Sequence, residues 1–307
     1  NPFKMEIRDE IIYGRGTLDD KGAVIATLYA MKAVKEMGKP FKKKIQLIIG
    51  TQEEAIWTDM ESYVKGYPLP DYGFTPDGSF PVCNVEKGCL DIAIEIPLHE
   101  ESCGSGKYLT KITSGYAANI VPGEAIANIT EVETGDITKV RTVGKAVHSS
   151  IPEKGVNAIF IMAEKLKEYE INRNKLLDIL ETVADKFKDP YGRELGLYSS
   201  SEYFNGVYTH RTVFTPTIFK VENGTVEINI NVRFAYGQST DNIIETIGKL
   251  FESFAGKIKE YYLLPAVFVS KDKPFLKILA DTYEEVSGLK NEYCLGYGGS
   301  YSKAMPN

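Results

Sequence analysis

Three groups of acids interrupt the sequence where chemistry could sit. Asp19 and Asp20 stand between a glycine turn and an apolar periodic stretch, Glu53 and Glu54 follow the apolar run 45–49, and Asp77 lies in Thr75-Pro76-Asp77-Gly78. In open α/β sheets ligands gather outside the carboxyl ends of strands, which is where Glu53 and Glu54 fall. Convergent carboxylates repel one another, and one of them takes up a proton unless a cation neutralises the group. A divalent metal is the simplest neutraliser. Glu54 cannot share the direction of Glu53 in an extended turn, so one of the pair can face a metal while the other faces a metal-bound water. Each acid also has a bland reading by itself: Asp19 and Asp20 as helix caps, Asp77 as a turn residue, Glu53 and Glu54 as a solvated loop.

The elements that must hold these acids are legible as patterns. Val24, Ile25, Leu28, Met31 and Val34 recur at helical spacing over 21–37, with Gly38 placed to end the helix. The run Ile45-Gln46-Leu47-Ile48-Ile49 predicts a buried strand that breaks at Gly50. Thr58-Asp59-Met60-Glu61 has the capping-box pattern and opens a short helix that Gly66 closes. From Asp91 the period changes to two, with Ile92, Ile94 and Ile96 facing one way and Asp91, Ala93 and Glu95 the other, which implies a half-covered antiparallel sheet. Helices are predicted over 156–169, 174–188 and 240–254, and a strand over 226–233. A last helix over 275–286 ends at Gly288 and leads to the turn Gly296-Tyr297-Gly298-Gly299-Ser300. The expected fold is α/β. A mostly parallel sheet with helices, made from 1–90 and 265–307, is interrupted by an α+β domain of two related halves over 91–264.

Composition narrows the function. The 307 residues are 43% apolar and 25% charged, with 36 Lys and Arg against 42 Asp and Glu, a net charge of −6. No basic block dominates, so nucleic acid is not an expected partner. No apolar run approaches the ~18–20 residues of a spanning helix, so neither is a membrane. Cys83, Cys89, Cys103 and Cys294 are too few and too irregular for a disulfide framework or a CxxC metal site, and read as free thiols in a reducing compartment. The ends, Asn1-Pro2-Phe3 and Met305-Pro306-Asn307, do not read as natural termini, and a longer parent is expected.

Gly14-Arg15-Gly16-Thr17-Leu18-Asp19-Asp20-Lys21-Gly22, Gly50-Thr51-Gln52-Glu53-Glu54, Thr75-Pro76-Asp77-Gly78-Ser79-Phe80-Pro81 and Glu86-Lys87-Gly88 together resemble the successive signatures of the M20 metallopeptidases, most closely the PepV-type dipeptidases. The resemblance implies a zinc enzyme with two Zn²⁺ per active site. Asp19 would bridge the metals, Asp77 would bind one and Glu54 the other, and Glu53 would be the general base. The α+β domain would be a lid. Gly144-Lys145-Ala146-Val147-His148-Ser149-Ser150 resembles the lid segment whose His stabilises the oxyanion, a role that falls to His148. Asn119 and Arg233 resemble positions that hold the substrate backbone and its C-terminal carboxylate, and Gly298, Gly299 and Ser300 a loop that brings backbone donors to it. Arg233 can also be read directly, on a strand face opposite Val226, Ile228, Ile230 and Val232, either free for a bidentate carboxylate contact or in a cross-strand ion pair. His99 and His210 match no motif; His99 reads as exposed and His210 as structural.

The sequence departs from the family at two places. An early His-x-Asp motif and a C-terminal His, both zinc ligands or their support, are absent, and the carboxylates that remain suit a hard cation such as Mg²⁺ or Ca²⁺ better than zinc. The expected function is hydrolysis of dipeptides in the cytoplasm by a monomer acting on small peptides. The alternatives are a deacylase or aminopeptidase of the same family, or a catalytically dead chain that binds peptide or metal.

Overall fold

The computed structural model describes residues 2–98 and 104–305, so His99 and Cys103 lie outside the described residues. In chain order the elements are β1 (Glu6–Arg8), β2 (Ile11–Tyr13), α1 (Lys21–Glu36), α2 (Thr58–Gly66), β3 (Cys83–Glu86), β4 (Gly88–Pro97), β5 (Lys107–Ser114), β6 (Glu124–Glu131), β7 (Ile137–Val143), α3 (Ala158–Leu166) and α4 (Lys175–Phe187). They continue with β8 (Tyr203–Phe204), β9 (Val207–Tyr208), β10 (Val213–Glu222), β11 (Thr225–Phe234), α5 (Thr240–Glu252), β12 (Lys257–Leu264), β13 (Val267–Phe268), α6 (Pro274–Ser287) and β14 (Cys294–Gly296). The mixed α/β chain divides into two units: Asn1–Cys83 with Ser270–Cys294 and Ser300–Asn307, and Asn84–Val269 with Leu295–Gly299.

The second unit is built on a seven-stranded sheet in the order β12-β4-β11-β10-β5-β6-β7, with every adjacent pair antiparallel. Its two parts meet where β10 pairs β5 at Phe219 and Ser114. Alternation places Ile92, Ile94 and Ile96 of β4 in the core and leaves Asp91, Ala93 and Glu95 half-buried on the other face. The helices cover the apolar face, and each carries its own start signal. Asn157, Asn174 and Ser239 accept hydrogen bonds from the amides of Ile159, Leu177 and Asn242, satisfying donors that have no partner in the first helical turn. Ile243, Ile247 and Phe251 of α5 and Ile179, Leu180 and Val183 of α4 complete one continuous core.

The first unit is less covered. The helix expected over 21–37 forms as α1 and is followed by Gly38 at φ +66, but none of its residues is buried. The predicted strand at 45–49 does not form: the segment is irregular, with Ile45 and Ile49 exposed. A strand needs a neighbour to take its backbone hydrogen bonds, and this apolar run has none among the described residues. The capping box at Thr58 is also corrected. Trp57 is the N-cap, Thr58 lies inside α2, and the Thr58 amide donates to Oε1 of Gln52 at 3.1 Å. Finally, Cys83 and Cys294 form a disulfide, against the expectation of free thiols. The backbone amide of Cys294 donates to the carbonyl of Val82, so neighbouring backbones bring together two cysteines that local spacing could not pair. Cys89 remains a buried thiol.

Candidate active site

The acids gather in the first unit. Asp19 is exposed at the end of the Gly14–Asp20 turn, where the amide and hydroxyl of Thr17 both donate to the carbonyl of Gly14. Asp20 is the N-cap of α1, and the Asp19–Asp20 peptide is cis. Burial and the neighbouring Asp19 charge raise the Asp20 carboxyl above its ordinary value. Glu53 is half-buried and Glu54 exposed. Burial, followed by the charges of Glu54, Asp77, Asp19 and Asp20, pushes the Glu53 carboxyl up to about 7. Asp77 is half-buried in a loop held by a 2.9 Å hydrogen bond between the hydroxyls of Thr75 and Ser302. All three acidic loops therefore act electrostatically on one carboxyl.

The loop carrying Glu53 and Glu54 is itself heavily restrained. One oxygen of Asp59, Oδ2, accepts from the amides of Thr51 (2.6 Å) and Gln52 (3.1 Å) and from the Tyr301 hydroxyl (2.7 Å), and Oδ1 accepts from the amide of Met60. Burial pushes the Asp59 carboxyl up, but these hydrogen bonds outweigh it and hold the group below the usual carboxylate range. Trp57, at φ +56, donates its indole N–H to the carbonyl of Glu53 at 2.6 Å. The sequence motifs did not reveal these supports: Asp59 was read only as part of a capping box, and nothing near it in sequence points to Tyr301.

A second group of candidate residues lies in the second unit. Asn119 is exposed, and its carbonyl accepts from the amide of Ser149, while Ile120 bridges His148. This joins the Asn119 and His148 segments. The amide of Ser150 donates to Nδ1 of His148, and an N–H can only donate, so the proton of the neutral ring sits on Nε2. Burial and the Arg233 charge lower the His148 pKa, which favours that neutral form. Arg233 is buried, not set on a solvated strand face, because β11 is covered on both sides beyond Ile230. Its cross-strand neighbours are Val213 and Cys89, neither of them an acid. Its Nε donates to Oδ1 of Asn231 at 3.1 Å, the same oxygen that accepts from the Ser149 hydroxyl at 2.7 Å, and the Asn231 amide donates to Asp91 at 2.6 Å. Asn231 thus fixes the His148 segment relative to Arg233, a function its place in an alternating strand did not reveal.

Gly298 and Gly299 are exposed in the turn after β14, whereas Ser300 is buried and its hydroxyl accepts from the amide of Ser302. The turn is anchored by Lys87, whose amide donates to the carbonyl of Gly296. The Lys87 ammonium is fully buried, donates to the carbonyl of Arg211 at 2.6 Å and meets Nδ1 of His210 at 3.2 Å over the ring of Tyr297. Burial brings the Lys87 pKa down to about 7.

The comparisons decide the family. A model of peptidase family M20/M25/M40 matches residues 1–304. The chain belongs to peptidase family M20. It is 30% identical over 330 residues to the "Putative dipeptidase YtjP" of Bacillus subtilis, covering 99% of this chain and 69% of that protein. Solved M20-like folds include aminopeptidase PepT from Bacillus cereus, with TM-score 0.51, 17% identity and coverage of 98% of this chain and 64% of that one. An M20 family metallo-carboxypeptidase from Sulfolobus solfataricus matches with TM-score 0.51 and 14% identity over 99% of this chain and 69% of that one. For an M20 chain the test is whether these residues suit a metal. The charge does: the carboxylates of Glu54, Asp77, Asp19 and Asp20 all raise the Glu53 pKa, and a divalent cation would relieve their repulsion. The ligand geometry is incomplete, since no group of three or more His, Cys, Asp or Glu able to hold an ion occurs among the described residues.

Proposed function

We propose that this M20 chain carries the general base and the substrate-holding residues of a metal-dependent dipeptidase. The observation that carries the reading is the raised pKa of the half-buried Glu53, on which the charges of Glu54 beside it and of Asp77, Asp19 and Asp20 in two other loops all act. In this reading Asp19, Glu54 and Asp77 would hold the metal, two zinc ions in the family pattern, which would supply Lewis-acid activation of a water and of the peptide carbonyl. Glu53 accepts the proton of the attacking water and returns it to the leaving amine. His148, with its proton on Nε2, donates to the oxyanion of the tetrahedral intermediate. Arg233 takes the C-terminal carboxylate, Asn119 the peptide backbone, and Gly298, Gly299 and Ser300 supply further donors. The C-terminal carboxylate anchor favours dipeptides over the deacylase or aminopeptidase alternative, in line with the name of the YtjP relative.

The proposed domain division is a catalytic part, 1–90 and 265–307, and a lid, 91–264, working as a monomer in the cytoplasm. No helix among the described residues is long and apolar enough to cross a membrane. In the full-length enzyme, Glu53→Ala should lower dipeptide turnover by ~10²–10⁴-fold while bound zinc, measured by elemental analysis, changes little. Normal turnover in that variant would refute the base assignment.

A further inference from the structure

We propose that Tyr301 and Asp59 form the positioning device of the Gly50–Trp57 loop and so fix the direction of Glu53; this rests on the reading of Glu53 as the general base. The two residues are 242 apart in sequence, and neither belongs to an acidic motif. The Tyr301 hydroxyl has two bonds: it donates to Oδ2 of Asp59 and accepts from the amide of Gln52 at 3.0 Å. Asp59 Oδ2 closes the triangle by accepting from the amides of Thr51 and Gln52. The two residues immediately before Glu53 are thereby tied to one hydroxyl and one carboxylate oxygen. On the other side of Glu53, its carbonyl is held by the Trp57 indole, whose ring meets the Tyr301 ring edge-on at 5.4 Å. A methyl group at Gly50 would fall inside the Tyr301 ring, so the start of the loop passes against the same side chain.

Packing alone would be served by any ring at this position. The hydroxyl adds directionality: it accepts from the loop and donates to the group that also accepts from the loop, leaving Thr51 and Gln52 one arrangement that satisfies every donor. Tyr301 touches the backbone before Glu53 and not the carboxyl itself. It is therefore a positioning residue, and its loss should lower kcat more than it changes KM.

Trp57 is the single tryptophan of these 307 residues, so in a full-length enzyme with any further tryptophan replaced by Phe its emission reports this loop alone. The test uses the full-length enzyme with a dipeptide substrate and excess Zn²⁺. Tyr301→Phe keeps the ring and removes the hydroxyl; it should lower kcat on the order of tenfold with KM within about twofold. Trp57 emission should move to longer wavelength and become more open to acrylamide quenching, with the thermal midpoint nearly unchanged. Asp59→Asn keeps an oxygen able to accept the three bonds now made at Oδ2 and should retain most activity, whereas Asp59→Ala should behave like Tyr301→Phe or worse. A Tyr301→Phe enzyme with wild-type kcat overturns the proposal, as does a fall in kcat with Trp57 emission unmoved. Glu53→Gln run in parallel separates the two readings: normal turnover in that variant sinks the base assignment, while the Trp57 emission still reports whether Tyr301 holds the loop.

Discussion

The two units follow the same patterning rules with opposite results. In the second, α5 presents Ile243, Ile247 and Phe251 at helical spacing and all three are buried. In the first, α1 presents Ile25, Leu28 and Val34 at the same kind of spacing and all three are exposed. Amphipathic periodicity states which side of a helix is ready to be covered, and a sheet alongside decides whether it is. The second unit has seven paired strands to supply that cover; the first has the short hairpin of β1 and β2.

This contrast can be broken most directly at Phe251. Phe251→Ala in the second unit should cost about 3–5 kcal/mol by denaturant unfolding, since it opens a cavity in a closed core. A loss below 1 kcal/mol would mean that the core adjusts far more than its packing implies. Asn231→Ala should cost about 1–3 kcal/mol, because Asp91, Ser149 and Arg233 all lose a buried partner, and KM should rise as Arg233 is freed. An unchanged KM would separate Arg233 from substrate.

Lys87 tests burial through pH. Its folded pKa of about 7 lies below the ordinary lysine value of 10.5, so between these values the unfolded chain holds a proton that the folded chain lacks. Stability contributed by this group therefore rises with pH across that window, at up to ~1.4 kcal/mol per pH unit, and the full penalty is present below pH 7. Lys87→Met should remove that slope from the variant, so that the difference between wild type and variant changes with pH across the window, and parallel curves would refute it. The smallest effect is expected at Leu28: Leu28→Ala in α1 should cost less than about 1 kcal/mol, as its side chain is half out of contact already.

The legible parts of the fold are those whose signal is local. Period two in β4 and β11 and period 3.6 in α4 and α5 appear within a few residues of where the sequence puts them, as does the helix stop at Gly288. The segment 45–49 misled because a buried strand and an uncovered apolar run are identical in sequence; only a neighbouring strand distinguishes them. At the candidate site the acids of the first unit are recognisable by type and position in loops. Their supports are not: Tyr301 meets Gln52 across 249 positions, and Asn231 meets Ser149 across 82, separations at which no spacing rule operates. Arg233 was placed on the correct strand but on a face expected to be open, because alternation describes one covered side and β11 ends between two.

The Cys83–Cys294 disulfide has a topological meaning. Separated by 211 positions in sequence, the two cysteines close a covalent ring that contains every residue from 84 to 293. The chain entering the second unit and the chain returning from it are thus joined at the root, and a backbone cut anywhere in the ring yields a nicked circle with two tails and not two fragments. In the chain-entropy view such a ring removes about 5 kcal/mol of disorder from the unfolded ensemble. That restriction belongs to the ring as a whole, so it also reaches the part of the first unit that lies inside the ring, 270–293, where α6 buries only Leu276 and Ala280.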